Sequence, residues 1–110
     1  MVVDELDQAE VDRVFHALAD ATRRDILARV IRGGQSVTAL ARHYTMSFAA
    51  VQKHVAVLER ASLVTKQRKG REQIVHGDLA ALRRVSRLLD AYEELWRHRV
   101  HRMDQILDEE

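Results

Sequence analysis

The chain of 110 residues contains no cysteine and no proline, and it has only four glycines. Without cysteine it can form no disulfide, thiolate metal site or cysteine nucleophile, which favours a reducing compartment such as the cytoplasm. Four scattered glycines cannot supply a glycine-rich phosphate loop, and the motifs H-E-x-x-H and G-x-S-x-G are also missing. These absences predict that the protein is not an enzyme.

Long apolar runs are missing as well. No segment approaches the roughly 20 apolar residues that a membrane-spanning helix requires. The N-terminus carries acids where a secretion signal carries basic residues. A hydrophobic content of 46% suits one domain with a modest core. We therefore expect a single soluble, cytoplasmic domain over residues 1–110 that does not contact a membrane.

Charge is unevenly distributed along the chain. Residues 26–71 hold nine basic side chains and one acid, Glu59, a local balance of +8 in a chain whose net charge is +1. All three lysines lie in this segment. Such asymmetry favours a polyanionic partner, although a solvated basic surface is the simpler interpretation in the absence of a motif.

Helical periodicity accounts for residues 11–34. A first stripe, spaced as on one face of a helix, consists of Val11, Val14, Phe15 and Leu18. Asp20 is placed to cap a second helix, in which Ile26, Leu27 and Val30 form the apolar stripe. Gly33 and Gly34 are expected to end this helix, because glycine adopts the left-handed conformation without steric cost.

Residues 36–61 predict a helix-turn-helix. Ser36 is placed to cap a short helix over VTALARHY, and Ser47 to cap a second helix after the tight connection TMS. The inward side chains of the second helix are expected to be Val51, Val55 and Leu58. Two short helices joined by about four residues form this motif.

Residues 63–77 predict a β-hairpin. The runs LVTKQRK and EQIVH flank Gly70, and two β-compatible runs around a glycine turn are typical of a hairpin. Next to a helix-turn-helix, such a hairpin forms a wing. Its basic side chains are Lys66, Arg68, Lys69 and Arg71.

A last helix is predicted over residues 78–107, with apolar residues in a heptad pattern. One series is Leu82, Leu89, Trp96 and Met103, and the other is Val85, Tyr92 and Ile106, with Arg99 as the break. About 28 residues extend roughly 42 Å at 1.5 Å per residue, more than a small domain covers.

The uncovered part of this helix needs a partner, and two-fold dimers are the commonest oligomers. The alternative is that the heptad packs only on its own domain. We predict a homodimer through the first and last helices, with an interface of Val11, Phe15, Leu89, Tyr92, Trp96 and Met103.

The outer face of the helix from Ser47 is suited to double-stranded DNA. Gln52 can pair with adenine, Lys53 can reach guanine or a phosphate, and Phe48 or Ala49 can contact a thymine methyl. The basic hairpin can neutralise phosphates or insert an arginine into a minor groove. An amphipathic helix with a merely wet outer side is the alternative.

Three segments resemble the ArsR/SmtB-type winged helix-turn-helix repressors: FHALADATRRDIL, VTALARHYTMSFAAVQKHVAVLERASLV and KGR. The match covers residues 13 to about 77, and the tail LWRHRVHRMDQIL resembles the subset without the thiolate site. The resemblance implies a mainly α fold of about five helices with a two-stranded wing. It also implies a homodimeric repressor that binds an inverted repeat over its own promoter and blocks polymerase.

Carried onto this chain, the resemblance assigns recognition-helix positions to Ser47, Phe48, Ala49, Gln52, Lys53 and His54. It assigns the wing tip to Lys69, Gly70 and Arg71. His54 has two interpretations, a DNA contact or a structural imidazole hydrogen-bonded inside the domain, and we favour the second slightly.

Metal sensing, known in this family, is less well supported here. One family site needs cysteines, and another needs D-x-H…H-x-x-(H/E) on the last helix. His98 and His101 fit its second half, but the first half falls on Val85 and Arg87, which cannot ligate. We predict no metal and no cofactor. A zinc-responsive repressor using His98 and His101, and a winged-helix module that binds protein, remain the alternatives.

Overall fold

Five helices and a small antiparallel sheet make up residues 7–108, the part of the chain that the computed structural model describes. In chain order they are α1 (Gln8–Leu18), α2 (Ala21–Arg32), β1 (Gln35–Ser36), α3 (Val37–Ala41), α4 (Phe48–Arg60), β2 (Val64–Lys69), β3 (Glu72–Gly77) and α5 (Ala80–Asp108). The predicted fold class is confirmed. Residues 1–6 and 109–110 of the predicted domain lie outside the described residues.

Side chains that accept backbone hydrogen bonds fix where the helices begin. Asp20, Ser36 and Ser47 each accept from the N–H three residues ahead, at 3.0, 3.0 and 3.1 Å. Asp7 does the same for α1, with the N–H two residues ahead. These N–H groups have no carbonyl partner inside their helix. The three helix starts predicted at residues 20, 36 and 47 are confirmed.

One apolar core lies between α1–α4, the sheet and the beginning of α5. Ile26 and Leu40 are fully buried in it, as are the three α4 side chains predicted to face inward, Val51, Val55 and Leu58. Full burial of such a side chain contributes about 1.5–3 kcal/mol. The inner face of α4 is therefore committed to the fold, and its outer face is free for another purpose.

Phe15 does not share the buried stripe of its helix. Val11, Val14 and Ala17 are the buried residues of α1, whereas the Phe15 side chain is 42% exposed. The orientation of α1 places a small residue, Ala17, in the core together with Val14. Phe15 is consequently available for a contact outside the chain.

The predicted two-stranded hairpin of the wing is present as β2 and β3, and a third strand that was not predicted, β1, joins it in one sheet. The strand order is β1-β3-β2, and β1 pairs with β3 through Gln35 opposite Val75 and Ser36 opposite Ile74. A strand of two residues is too short to show the alternation that identifies strands in a sequence. Because β1 directly precedes α3, this pairing attaches the hairpin to the helix-turn-helix.

Helix α2 ends at Gly33 as predicted, but the left-handed conformation expected there is not found. Gly33 has φ 173°, which is extended backbone rather than the left-handed conformation. At Gly34, a Cβ atom would lie 2.4 Å from the His76 ring on β3. A Cβ atom at residue 34 would therefore force the His76 ring to move, because this ring packs directly on the backbone beside β1.

The end of α4 is a Schellman motif with a strained residue. The Leu63 N–H donates to the Leu58 carbonyl at 3.0 Å, and the Ser62 N–H donates to the Glu59 carbonyl at 2.9 Å. Ser62 has φ 60°, in the left-handed region that disfavours residues with a Cβ atom. Leu58 and Leu63 are both fully buried, so the core holds Ser62 in this conformation.

The long helix α5 extends away from the core. Its buried residues, Ala81, Val85 and Leu88, all lie in its first three turns. The described chain measures 70 × 29 × 22 Å, and its radius of gyration of 18.9 Å exceeds the roughly 13 Å of a compact chain of this length. Among the described helices, α5 included, none is both long and apolar enough to cross a membrane.

Candidate nucleic-acid interface

The outer face of α4 presents exposed side chains on its first two turns. They are Phe48, Ala49, Gln52 and Lys53. Phe48 and Gln52 are four residues apart, as are Ala49 and Lys53, so each pair shares one side of the helix. Neither Gln52 nor Lys53 has a hydrogen-bond or ion-pair partner within residues 7–108. Their donors are open to a molecule that lies along α4.

Ser47, the residue before α4, has a structural role and an open donor. Its Oγ accepts from the Ala50 N–H at 3.1 Å. A hydroxyl has one proton and two lone pairs, so this bond leaves the Ser47 proton free to be donated outward.

His54 lies at the inner edge of the same helix. Its Nδ1 is 3.3 Å from Arg23 Nη1 and 3.9 Å from Asp20 Oδ2, and its side chain is 21% exposed. Because a guanidinium only donates, the contact with Arg23 uses the Nδ1 lone pair. This geometry matches the structural interpretation of His54 rather than a contact with DNA.

Arg23 joins the end of α1 to α4. Its Nε donates to the Ala17 carbonyl at 2.8 Å and its Nη2 to the His16 carbonyl at 2.9 Å, which satisfies the last carbonyls of α1. The hydrogen bond from the Arg23 N–H lowers the pKa of Asp20 below its usual value, with a further contribution from the charge of Arg23. Desolvation opposes this shift. Asp20 therefore stays ionised as the cap of α2.

The tip of the wing carries three of the four predicted cations. Lys69 lies opposite Glu72 in the β2–β3 pair, and Gly70 makes the turn with φ 64°, which glycine accepts without strain. Arg68, Lys69 and Arg71 are exposed, and Arg68 Nε donates to the Gly70 carbonyl at 3.4 Å. The tip is thus a small cluster of positive charge on a defined turn.

Lys66 differs from the other three wing cations. Its Nζ lies 3.3 Å from Oε1 of Glu59 on α4, and its side chain is 25% exposed. The ion pair joins the lower part of the hairpin to α4. Lys66 therefore helps to hold the wing beside the helix, and the sequence pattern alone did not reveal this pairing.

The exposed side chains of α4 and the wing tip meet in one cleft. Phe48 and Gln52 of α4 line it together with Arg71, and Thr38 of α3 and Gln73 of β3 complete its walls. The cleft has a volume of about 170 Å³. Thr38 and Gln73 were not predicted, because their position depends on how the hairpin folds against α3, for which the sequence has no local signal.

A hydrogen-bonded group of three side chains fixes the turn between α3 and α4. Tyr44 donates to Asp25 Oδ2 at 2.6 Å, and Arg29 Nε donates to the same oxygen at 2.8 Å. The hydrogen bonds from Tyr44 and Arg29 lower the pKa of Asp25. Burial and the neighbouring Asp25 raise the pKa of Tyr44 to about 12. The helix-turn-helix is thereby attached to α2.

Comparison with known proteins identifies this arrangement. A family model described as a helix-turn-helix domain matches residues 18–67. The HTH-type transcriptional regulator Rv2034 of Mycobacterium tuberculosis is 34% identical over 99 residues, which span 90% of each protein. The transcriptional repressor SdpR of Bacillus subtilis is 32% identical over 60 residues, 54% of this chain and 67% of that protein.

Solved structures agree over nearly the whole chain. An ArsR-like transcriptional regulator from Rhodococcus sp. RHA1 has a TM-score of 0.83 at 33% identity, covering 93% of this chain and 94% of that one. The chain belongs to the ArsR family of winged helix-turn-helix transcriptional regulators. DNA is accordingly its partner. The homodimeric winged helix-turn-helix domain Mb0332 from Mycobacterium bovis has a TM-score of 0.64 at 25% identity, covering 79% of this chain and 82% of that one.

In this ArsR-family chain the part of α5 beyond Ala91 carries a broad apolar face. Among the predicted interface residues, exposure rises from 42% at Phe15 to 63% at Trp96, and Leu89, Tyr92 and Met103 lie between these values. Val11 differs, because it is 5% exposed and packs with Leu88 of the same chain. Val11 is therefore covered without a second copy, which removes it from the exposed surface.

Sequence reasoning missed part of this apolar face. Leu95, Val100 and Leu107 are exposed as well. With Leu82 at heptad position a, they occupy positions g and e, so the face spans four of the seven positions. A two-helix seam needs only positions a and d. The apolar residues at e and g were visible in the sequence and indicate more than one covering helix.

The predicted metal candidates of this ArsR-family chain, His98 and His101, have different polar neighbours. His98 Nε2 lies 3.3 Å from Glu94 Oε1, whereas His101 Nε2 lies 3.3 Å from Gln105 Nε2. Across residues 7–108, no three His, Cys, Asp or Glu side chains are placed to share a metal ion. Zinc sites in proteins use three or four such ligands. The described part of one chain therefore gives no support to the zinc-responsive alternative.

Proposed function

We propose that the protein is a homodimeric repressor that binds an inverted repeat in double-stranded DNA. The observation that carries the proposal is the pairing of an exposed polar α4 face with a cationic wing tip along one cleft. A helix of this width enters the major groove with the first residues of its exposed face toward the bases. The proposal extends the family assignment to the mode of binding.

The bases are read from the first two turns of α4. The Gln52 amide pairs with an adenine edge, and the Lys53 ammonium reaches guanine or a phosphate. Phe48 and Ala49 contact a thymine methyl, and the Ser47 hydroxyl donates to the backbone. His54, which faces Arg23 at 3.3 Å, positions the helix and does not read a base.

The wing supplies contacts that do not depend on sequence. Arg68, Lys69 and Arg71 lie around a fixed glycine turn, and each can neutralise a phosphate or enter the minor groove. Lys66 contributes by its ion pair with Glu59, which keeps the wing beside α4.

The second copy of the chain is proposed to cover the apolar face of α5. That face is too wide for one helix seam, and Phe15 on α1 is exposed as well. Both helices therefore enter the interface, as in the predicted dimer. A two-fold dimer would present two α4 helices to major grooves about 34 Å apart, one turn of the duplex. The homodimeric relative from Mycobacterium bovis supports this arrangement.

We assign one proposed role to each of three successive segments of the chain. Residues 36–61 read DNA, residues 63–77 form the wing and residues 78–107 dimerise, within one domain over residues 1–110. Repression follows if the dimer occupies promoter DNA and excludes polymerase, and the relative from Bacillus subtilis is named a repressor. We propose no enzymatic role, and we place the protein with its DNA in the cytoplasm.

The proposal is tested by selecting bound duplexes from a random pool and by sedimentation of the free protein. We expect enrichment of an inverted repeat whose half-sites lie one helical turn apart, and a dimer at working concentrations. A pool that shows no enrichment, or a protein that stays monomeric, would overturn the proposal. A protein-binding module, the remaining alternative, would show no salt-dependent affinity for DNA.

A further inference from the structure

The cleft between α4 and the wing contains polar side chains that the fold does not use. Thr38, Gln52 and Gln73 line it, and within residues 7–108 none of these three side chains has a hydrogen-bond partner. Ser36, which also lines the cleft, differs because its Oγ accepts from the Ala39 N–H at 3.0 Å. The cleft thus offers hydroxyl and amide donors that serve no purpose in the folded chain.

The position of the cleft determines what can fill it. In a duplex, a major groove and the neighbouring minor groove are separated by one sugar-phosphate backbone. If α4 lies in the major groove and the wing tip reaches the minor groove, that backbone passes between them. The cleft, bounded by Phe48 and Gln52 on one side and Arg71 on the other, is the space through which it passes.

We infer that this cleft is a seat for one phosphodiester group of the DNA backbone in each half-site. The Thr38 hydroxyl and the Gln73 amide donate to the phosphate oxygens, and Arg71 supplies the positive charge. Phe48, which is 46% exposed, borders the seat and keeps its proposed contact with a thymine methyl. The inference rests on the proposed function and adds Thr38 and Gln73 to the contacting residues.

Glu72 allows a test in which the expected change in DNA affinity has a definite direction. Its carboxylate also lines the cleft, next to Arg71, and it has no ion-pair partner within the described residues. A phosphate in the cleft would be repelled by this charge. Removing the charge should therefore strengthen binding, whereas removing the Thr38 donor should weaken it.

The experiment compares Thr38→Val and Glu72→Gln with a control, Thr65→Val, on the same operator duplex. Thr38 and Thr65 are both exposed, and Thr65 on β2 is not part of the cleft. We expect Thr38→Val to weaken dimer binding about tenfold on every sequence, because two half-sites each lose one hydrogen bond. Glu72→Gln should tighten binding several-fold, and Thr65→Val should stay within about twofold of the parent.

Ethylation interference locates the contact directly. Ethylating the seated phosphate should abolish binding by the parent protein and cost Thr38→Val much less. Thermal melting by circular dichroism verifies that each variant is folded, and Glu72→Gln decides alone if Thr38→Val melts early. The inference is overturned if the parent binds the operator while Glu72→Gln leaves its affinity unchanged, or if a folded Thr38→Val binds the operator as tightly as the parent. A parent that binds no duplex at all would instead overturn the proposed function.

Discussion

The outer face of α4 and the far half of α5 are both exposed, yet their chemistry is opposite. The α4 face offers an amide and an ammonium group, which are well solvated while no partner is present. The α5 face beyond Ala91 offers aliphatic and aromatic side chains, and exposed apolar surface costs about 25 cal/mol per Å². The first face therefore suits a partner that binds and dissociates, and the second suits the permanent partner of the proposed dimer.

Breaking the apolar face should have the largest effect. We expect Trp96→Glu to raise the dimer dissociation constant at least about 100-fold, because each buried aromatic side chain contributes several kcal/mol. Sedimentation equilibrium measures this. Gln105→Glu, an exposed position of the same helix away from the apolar face, adds the same group and should leave the dimer intact. A Trp96→Glu protein that remains dimeric would show that this face is not the interface.

Removing a wing cation should weaken DNA binding without changing its sequence preference. Arg71→Ala deletes one phosphate contact in each half-site, so we expect about tenfold to 100-fold lower affinity. The salt slope, which is the slope of log binding constant against log salt concentration, should become smaller in magnitude by about 2. Titrations at several salt concentrations measure both quantities. Arg97→Ala on α5 is the control, since its charge is paired with Glu93 and lies far along the chain from the wing. An unchanged slope for Arg71→Ala would contradict the role of the wing.

Changing the reading face should affect preference more than affinity. For Gln52→Ala we expect the discrimination at one base pair of each half-site to fall by about 1–3 kcal/mol, with the salt slope unchanged. Competition between operators that differ at single positions tests this. Equal loss on all sequences would mean that Gln52 contacts the backbone instead.

Two substitutions of Arg99, the charged residue that interrupts the apolar face, should change dimer stability in opposite directions. Arg99 occupies a heptad d position between apolar neighbours. We expect Arg99→Leu to tighten the dimer about tenfold, because it completes the apolar stripe, and Arg99→Glu to weaken it. If sedimentation profiles of both variants match the parent, Arg99 lies outside the interface.

The smallest expected effect concerns the fold alone. Ser62→Gly removes the left-handed strain after α4 and should raise the free energy of unfolding by about 1 kcal/mol. Ser86→Gly, in the interior of α5, should lower it by up to about 1 kcal/mol. Denaturant titration compares the two variants. Neither should alter DNA preference, since neither residue lies on the α4 face or in the cleft.

Features with local signals could be predicted from the sequence. The caps Asp20, Ser36 and Ser47 and the inward stripe of α4 depend on residues within a turn or two of one another, and the structure contains them. The heptad of α5 was visible for the same reason. Whether its apolar face binds a second copy remains a prediction.

Features that depend on distant residues could not be predicted. β1 is defined by a partner strand about 40 residues later, and the His76 ring of that strand packs against Gly34. Lys66 resembles the other wing cations in sequence and differs only because Glu59 lies beside it. Thr38 and Gln73 become neighbours only when the hairpin folds against α3.

The Arg23 guanidinium has a mechanical consequence. It donates hydrogen bonds to the last carbonyls of α1 and also contacts His54 of α4. The same helix, α1, also exposes Phe15 one turn before its end. A rotation of α1 would therefore displace a side chain that also contacts α4. In the proposed dimer, the packing of the two protomers at α1 would therefore be linked to the distance between their α4 helices.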